Sequence, residues 1–384
     1  MKAELMLVCS TCGSVFSTAE PRWQCDCGAY LLLKSPGIFR REDLASRPAG
    51  IWRYREALGI EDPANIISLG ESTTPLINAP FLGCSTQLKL DYLCPTGSYK
   101  DRGSSVMVSK LKEWGVTDIV EDSSGNAGAS IAAYAACAGI RANIYIPEST
   151  SAAKAAQIQL YGANLIKIPG TRESTARAAV RAARSTFYAS HNWSPYFLAG
   201  MKTAAYELAE QYFWELPDWV VAPAGGGSLL AGLHLGFSDL LKAQFIRKMP
   251  RLAAVQSANC DPIYRAWKAG LPDVAEGEKM PTAAEGISVA KPVRGATILE
   301  AIRSSNGIVA TVDDNAIWNT VEKLGKHGIY VEPTAAAAPA ALNQLQESGA
   351  IARDDRVAIM LTGSGMKATQ KLVEHFAANV PVPV

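Results

Sequence analysis

The sequence predicts an α/β protein of parallel sheets flanked by helices, with a small cysteine-rich ribbon at its amino-terminal end. Three observations carry this. From about Ile66 onward, apolar runs alternate with helical patterns. Residues 116–121, 129–138 and 143–146 form a strand, helix and strand, which demands a parallel pairing with a right-handed crossover. Cys9, Cys12, Cys25 and Cys27 crowd together before that pattern begins.

Size and composition bound the function. At 384 residues and 48% hydrophobic, the chain exceeds one simple core and suggests two packed lobes plus an appendage. A net charge of +1 gives no bulk attraction to nucleic acid or to an anionic membrane. No stretch approaches the roughly 18–20 apolar residues of a membrane span. Residues 1–9 carry Glu4 and no long apolar run, so they do not read as a secretion signal. Of the eight cysteines, Cys84, Cys94, Cys137 and Cys260 are scattered. A disulfide framework is not expected in so large a chain without a signal, which points to a reducing cytoplasm.

The elements follow in order. Short strands around cysteine turns run to about Leu33, and a polar linker with Arg40, Arg41, Glu42, Asp43 and Pro48 follows. Residues 122–128 are a polar turn, and Gly139 closes the small-residue helix 129–138. Helix 152–161 is stopped by Gly162; strand 165–168 and helix 173–185 come next. The buried strand 219–222 ends in Pro223 and a glycine run, then helix 229–236. Strands 252–256 and 357–361 complete the alternation, and Ala335–Ala338 reads as a tightly packed helix.

Five segments carry chemistry. The turns Cys9-Ser10-Thr11-Cys12-Gly13 and Cys25-Asp26-Cys27-Gly28 can aim four thiolates at one Zn²⁺. The glycine after each pair lets the backbone curl so that amides face the sulfurs. With four cysteines no ligand position stays open, so such a metal is structural. In Pro95-Thr96-Gly97-Ser98-Tyr99-Lys100-Asp101-Arg102-Gly103, the Lys100 amine suits an aldehyde cofactor, although alone the segment also reads as a solvated charged turn. The turn Asp122-Ser123-Ser124-Gly125-Asn126-Ala127-Gly128 lies between strand and helix, where amides and hydroxyls bind an anion such as a carboxylate. Pro223-Ala224-Gly225-Gly226-Gly227-Ser228 offers bare amides for a phosphate, but lacks the spacings of ATP and NAD loops. Leu361-Thr362-Gly363-Ser364-Gly365 is a polar turn closing a late strand.

Together these segments resemble the threonine synthase family within the fold-type II pyridoxal 5′-phosphate (PLP) enzymes, from Cys9 to about Lys367. The lysine nonapeptide matches the family motif except that Tyr99 stands where phenylalanine is usual. The Cys9–Gly28 ribbon is similar to the zinc-ribbon extension of some members. The resemblance implies that Lys100 holds PLP as a Schiff base and serves as the base. It implies that Asn126 meets the cofactor's 3′ oxygen, that Gly225, Gly226, Gly227, Ser228 and Leu229 surround its phosphate, and that Thr362 faces the pyridine nitrogen. Ser123 and Ser124 fall where substrate oxygens are held, and Lys154 where a substrate phosphate is met. The implied organisation is a zinc ribbon over 1–40, a larger PLP-binding lobe over 41–93 and 200–384, and a smaller mobile lobe over 94–199.

Three departures concern the substrate. Ala127 lacks a hydroxyl often present, Phe197 stands where an arginine would meet phosphate, and Ser364 replaces a frequent histidine. His191, if protonated, would partly substitute for the arginine. The reaction expected first is O-phosphohomoserine and water to threonine and phosphate. A serine or threonine dehydratase, or a β-replacement enzyme on serine or O-activated serine, competes with it. A zinc-ribbon binding module on an inactive scaffold is the non-enzyme alternative, and the intact lysine motif argues against it. The partners expected are a small amino acid, no nucleic acid and no membrane, with a homodimer left open.

Overall fold

The computed structural model describes residues 5–34, 37–83 and 85–377; Glu4 and Cys84 lie outside the described residues. Strands β1 (Met6–Cys9), β2 (Val15–Ser17) and β3 (Leu31–Lys34) form an antiparallel ribbon in the order β2-β1-β3. Leu7, Cys9, Cys25 and Leu31 share one buried cluster with Val106, Met107, Leu111 and Tyr196, so the ribbon is packed onto the body of the protein. Two further bonds seat it: Trp114 Nε1 donates to the Thr18 carbonyl at 2.8 Å, and the Tyr30 and Thr297 hydroxyls meet at 2.6 Å. The polar linker is more ordered than its composition suggests. It winds into 3-10 turns, Arg41–Ser46 and Ile51–Ala57, because Leu44, Ile51 and Tyr54 are buried there and Arg47 bridges Asp43 and Glu56.

The larger sheet has six strands. They are β4 (Leu76–Asn78), β5 (Ser85–Lys89), β10 (Trp219–Pro223), β11 (Arg251–Ser257), β12 (Ile308–Val312) and β13 (Arg356–Met360), in the order β12-β11-β10-β13-β5-β4. All pairings are parallel except β4 with β5. Every residue of β10 is buried. Val220 and Ala222 enter one core with Leu229 and Leu233, while Trp219 and Val221 enter a second with Ala335–Ala338. Alternate residues thus feed two cores, which is why a doubly covered strand reads as an unbroken apolar run.

The smaller sheet is fully parallel, with β6 (Asp118–Glu121), β7 (Arg141–Pro147), β8 (Asn164–Ile168) and β9 (Phe187–Tyr188) in the order β8-β7-β6-β9. Around it lie α1 (Lys100–Glu113), α2 (Asn126–Ala138), α3 (Ala152–Leu160), α4 (Arg172–Ala182) and α5 (Pro195–Met201). Helix α6 (Thr203–Gln211) and helix α7 (Ser228–Lys242) belong with the larger sheet and pack against each other. Alanine and glycine dominate α2, letting it approach α1 and β7 closely. It ends as expected, with Gly139 at φ +70° and Ile140 N–H bonded to the Ala135 carbonyl. No helix among the described residues is long and apolar enough to cross a membrane.

Candidate active site

The chemistry-bearing segments follow strand ends. The 122–128 turn follows β6, the glycine loop follows β10, the Thr362 turn follows β13, and the Lys100 segment comes after β5. Carboxyl ends of parallel strands are where α/β sheets bind ligands, because the loops there are free of the sheet's own hydrogen bonding.

Lys100 is the first residue of α1 rather than part of an open turn. Its Nζ donates to the Tyr99 hydroxyl at 2.7 Å and lies 6.0 Å from the centre of the Phe197 ring. The segment before it is tied to the last strand's turn: Tyr99 N–H donates to the Thr362 carbonyl at 3.0 Å, and Ser364 N–H to the Gly97 carbonyl at 2.9 Å. Behind Lys100, the Asp101 carboxylate accepts from Thr96 and Ser130, and burial pushes it up to about 6 against those bonds.

Ser123 is buried and its hydroxyl accepts the Gly125 N–H at 3.3 Å; Ser124 is half-buried. A Cβ on Gly128 would lie 1.8 Å from the Ser123 carbonyl oxygen, so only glycine permits this tight turn into α2. Asn126 opens the helix, and its Nδ2 donates to Glu332 Oε1 at 3.0 Å. Glu332 is not among the residues that the sequence motifs single out. The signal for it is a lone carboxylate at the start of the alanine-rich helix Pro333–Ala340, a charge among apolar residues.

The glycine loop is crowded around its backbone. Cβ atoms on Gly225 and Gly226 would each lie 2.7 Å from another atom, Ile287 Cα and Asn192 Oδ1 respectively. Gly227 takes φ +73°, with the Ile298 side chain 2.1 Å from where a Cβ would sit. Ser228 starts α7, with Leu229 behind it in the core, so the helix amino terminus opens onto the loop. The Thr362 hydroxyl is buried with no hydrogen-bond partner in the protein. A buried, unsatisfied hydroxyl costs free energy unless a ligand meets it.

Lys154 on α3 is engaged elsewhere: its ammonium pairs with Glu285, which Lys371 also holds at 2.6 Å. His191 cannot supply the expected positive charge. Burial, then the nearby Lys100 and Arg172 charges, pushes its pKa well below the usual range. Its partner Glu121, 2.6 Å away, is pushed well above the carboxylate range by burial. Both shifts favour the uncharged forms. Phe197 is fully buried, with its ring 6.0 Å from that of His191.

In the ribbon the four cysteine sulfurs lie within 4.8 Å of one another, with Cys9 to Cys27 at 3.5 Å and Cys12 to Cys25 at 3.6 Å. Amides of Thr11 and Cys12 both point at the Cys9 sulfur at 3.4 Å.

The family described as "Pyridoxal-phosphate dependent enzyme" matches residues 67–363. The threonine synthase of Methanocaldococcus jannaschii is 33% identical over 98% of this chain and 96% of its own length. That of Methanosarcina acetivorans is 31% identical over 96% of this chain and 93% of its own. Among solved structures, a fungal L-serine ammonia-lyase from Rhizomucor miehei superposes with a TM-score of 0.69 at 23% identity, covering 80% of this chain and 98% of that one. Maize serine racemase superposes at 0.69 with 23% identity, covering 87% and 99%. Both are likenesses of fold.

Proposed function

Because the chain belongs to the threonine synthase family of pyridoxal-phosphate-dependent enzymes, we propose that it converts O-phosphohomoserine and water to threonine and phosphate. The observation that carries this reading is near full-length similarity to proteins named threonine synthase, at 33% and 31% identity.

The residues fit the cofactor: an amine at Lys100, a cradle of glycines that Cβ atoms would fill, and an unpartnered hydroxyl at Thr362. Lys100 would tether it, Asn126 would meet its 3′ oxygen, Gly225–Leu229 its phosphate and Thr362 its pyridine nitrogen. When bound, PLP supplies the electron sink that acidifies the substrate's α C–H bond. Lys100 Nζ takes that proton as general base, held in place by the Tyr99 hydroxyl. Ser123, Ser124 and the amides opening α2 bind the substrate carboxylate. Residues 94–199 act as the mobile lobe whose closure excludes water. Arg102, paired with the buried Asp91 and Glu207, anchors its fixed end, and its other contacts with the rest of the protein include Lys154 with Glu285 and Lys367 with Gln157.

A second reading has its own support. Ala127, the buried Phe197 ring and His191, whose pKa is pushed well below the usual range, supply no cation of their own, which favours serine, threonine or an O-activated serine. Incubation with O-phosphohomoserine tests the two: equal release of phosphate and threonine supports the first, and inertness beside turnover of serine, threonine or an O-activated serine supports the second. In the second case, Phe197→Arg combined with Ala127→Thr raises kcat/KM for the phosphorylated substrate by about ten- to a hundredfold, from new charge-assisted bonds.

For the ribbon, a tetrahedral Zn²⁺ with bonds of about 2.3 Å separates its sulfurs by about 3.8 Å. The four cysteines suit that spacing, so they would hold one structural zinc. Replacing Cys12 by serine is expected to lose the metal and loosen the ribbon while the protein keeps its visible absorbance. Elemental analysis beside the absorption spectrum checks both; full zinc retention would contradict it.

A further inference from the structure

Glu332 is a buried carboxylic acid, 8% exposed, and is the partner of the Asn126 side chain. Its own N–H donates to the Gly363 carbonyl at 3.1 Å, and a Cβ on Gly363 would lie 2.3 Å from its Oε1. The carboxyl group is therefore wedged between the amide that opens α2 and the turn that carries the unpartnered Thr362 hydroxyl. Helix α2 belongs to the smaller sheet and the Thr362 turn to the larger one. A polar side chain with no other assigned task thus bridges the two segments that would meet the 3′ oxygen and the ring nitrogen of a bound cofactor.

We propose that Glu332 is a positioning residue that fixes and polarises the Asn126 amide against the cofactor's 3′ oxygen. The proposal rests on the cofactor reading above. An amide NH₂ has two hydrogens. With one given to Glu332, the other has a fixed direction, and a negative carboxylate makes the bond charge-assisted and stronger. The groups facing Glu332 are Asn126 from α2, Lys100 from α1, Lys367 from the turn Gly365–Ala368 and Glu285 from the turn Glu285–Ile287. Burial raises the carboxyl to about 7, while Lys367, Asn126 and Lys100 pull it down and Glu285 adds repulsion. Below that value the carboxyl is protonated and neutral; above it the carboxylate is charged and the hold on Asn126 is strongest. The cofactor's visible band, which reports charge around the ring, should follow this change.

The test is a spectrophotometric titration of the PLP-loaded, full-length protein from about pH 5.5 to about pH 9, spanning raised carboxyl values. The wild type is expected to show a step in its visible band near pH 7. Glu332→Gln, which keeps a partner for Asn126 but cannot ionise, should lose the step, with kcat falling about tenfold at alkaline pH. Glu332→Asp should retain a displaced step and part of the activity, and it serves as the variant if the glutamine form does not fold. A step that persists unchanged in Glu332→Gln, or in both variants, overturns the proposal while leaving the cofactor reading intact. A wild type that takes up PLP and shows the band but no step overturns it as well. A wild type with no visible band at all overturns the cofactor reading, and this inference with it.

Discussion

Lys100→Ala is expected to be colourless after reconstitution with PLP and to lose turnover by at least about 10³-fold, since a positioned proton-transfer group alone contributes about 10²- to 10⁴-fold. The loss should appear in kcat. The Tyr99 hydroxyl, which receives the Lys100 hydrogen bond at 2.7 Å, has no amine to replace it, and no other lysine is hydrogen-bonded there among the described residues. Circular dichroism should be unchanged, because Lys100 is half-buried at the first position of its helix and makes no ion pair among the described residues. A variant that stays yellow and active would remove the basis of the mechanism.

The second large effect concerns stability. Arg102, two residues beyond Lys100, is buried and donates to Asp91 at 2.8 Å and to Glu207 at 2.9 Å. Lys89 also pairs with Glu207, and Thr74 N–H donates to the same carboxylate at 2.7 Å. This network pins α1, and with it Lys100, to α6 and to β5 of the larger sheet. Burial alone would raise Glu207, but Arg102 and Lys89 hold it down at about 2. Its contribution is therefore complete above the ordinary carboxyl range, near 4.3, and fades as pH falls towards about 2. Glu207→Gln leaves two buried cations facing Asp91 alone, which should cost about 3–5 kcal/mol at neutral pH. Urea unfolding of the two proteins measures it. The difference should shrink as pH falls below about 4; a gap that is small at pH 7, or that widens in acid, would contradict the account.

Strands β6, β7, β8, β10, β11 and β13 were legible as apolar runs, Trp219–Pro223 most clearly, and Gly139 and Gly162 mark helix ends, whereas β4, β5, β9 and β12 were not read from the sequence. Boundaries slipped where side chains compete with the backbone. Asn126 begins α2 although 122–128 reads as a polar turn, and Lys100 begins α1 although its neighbours look solvated. Glu332 and the Arg102 network were not legible. Their meaning lies in partners 206 and 105 residues away, Asn126 and Glu207, and no local pattern encodes such a pairing. The charge state of His191 was equally hidden, since it depends on burial beside Glu121 and not on sequence neighbours.

The claim on which all of this depends is that Lys100 carries the cofactor. Borohydride reduction of the PLP-loaded protein, followed by proteolysis and mass spectrometry, tests it most directly. The account predicts one pyridoxyl-modified peptide, with the modification on Lys100 and none on Lys89, Lys154 or Lys367. A stoichiometric adduct on any other lysine, with Lys100 unmodified, would contradict it.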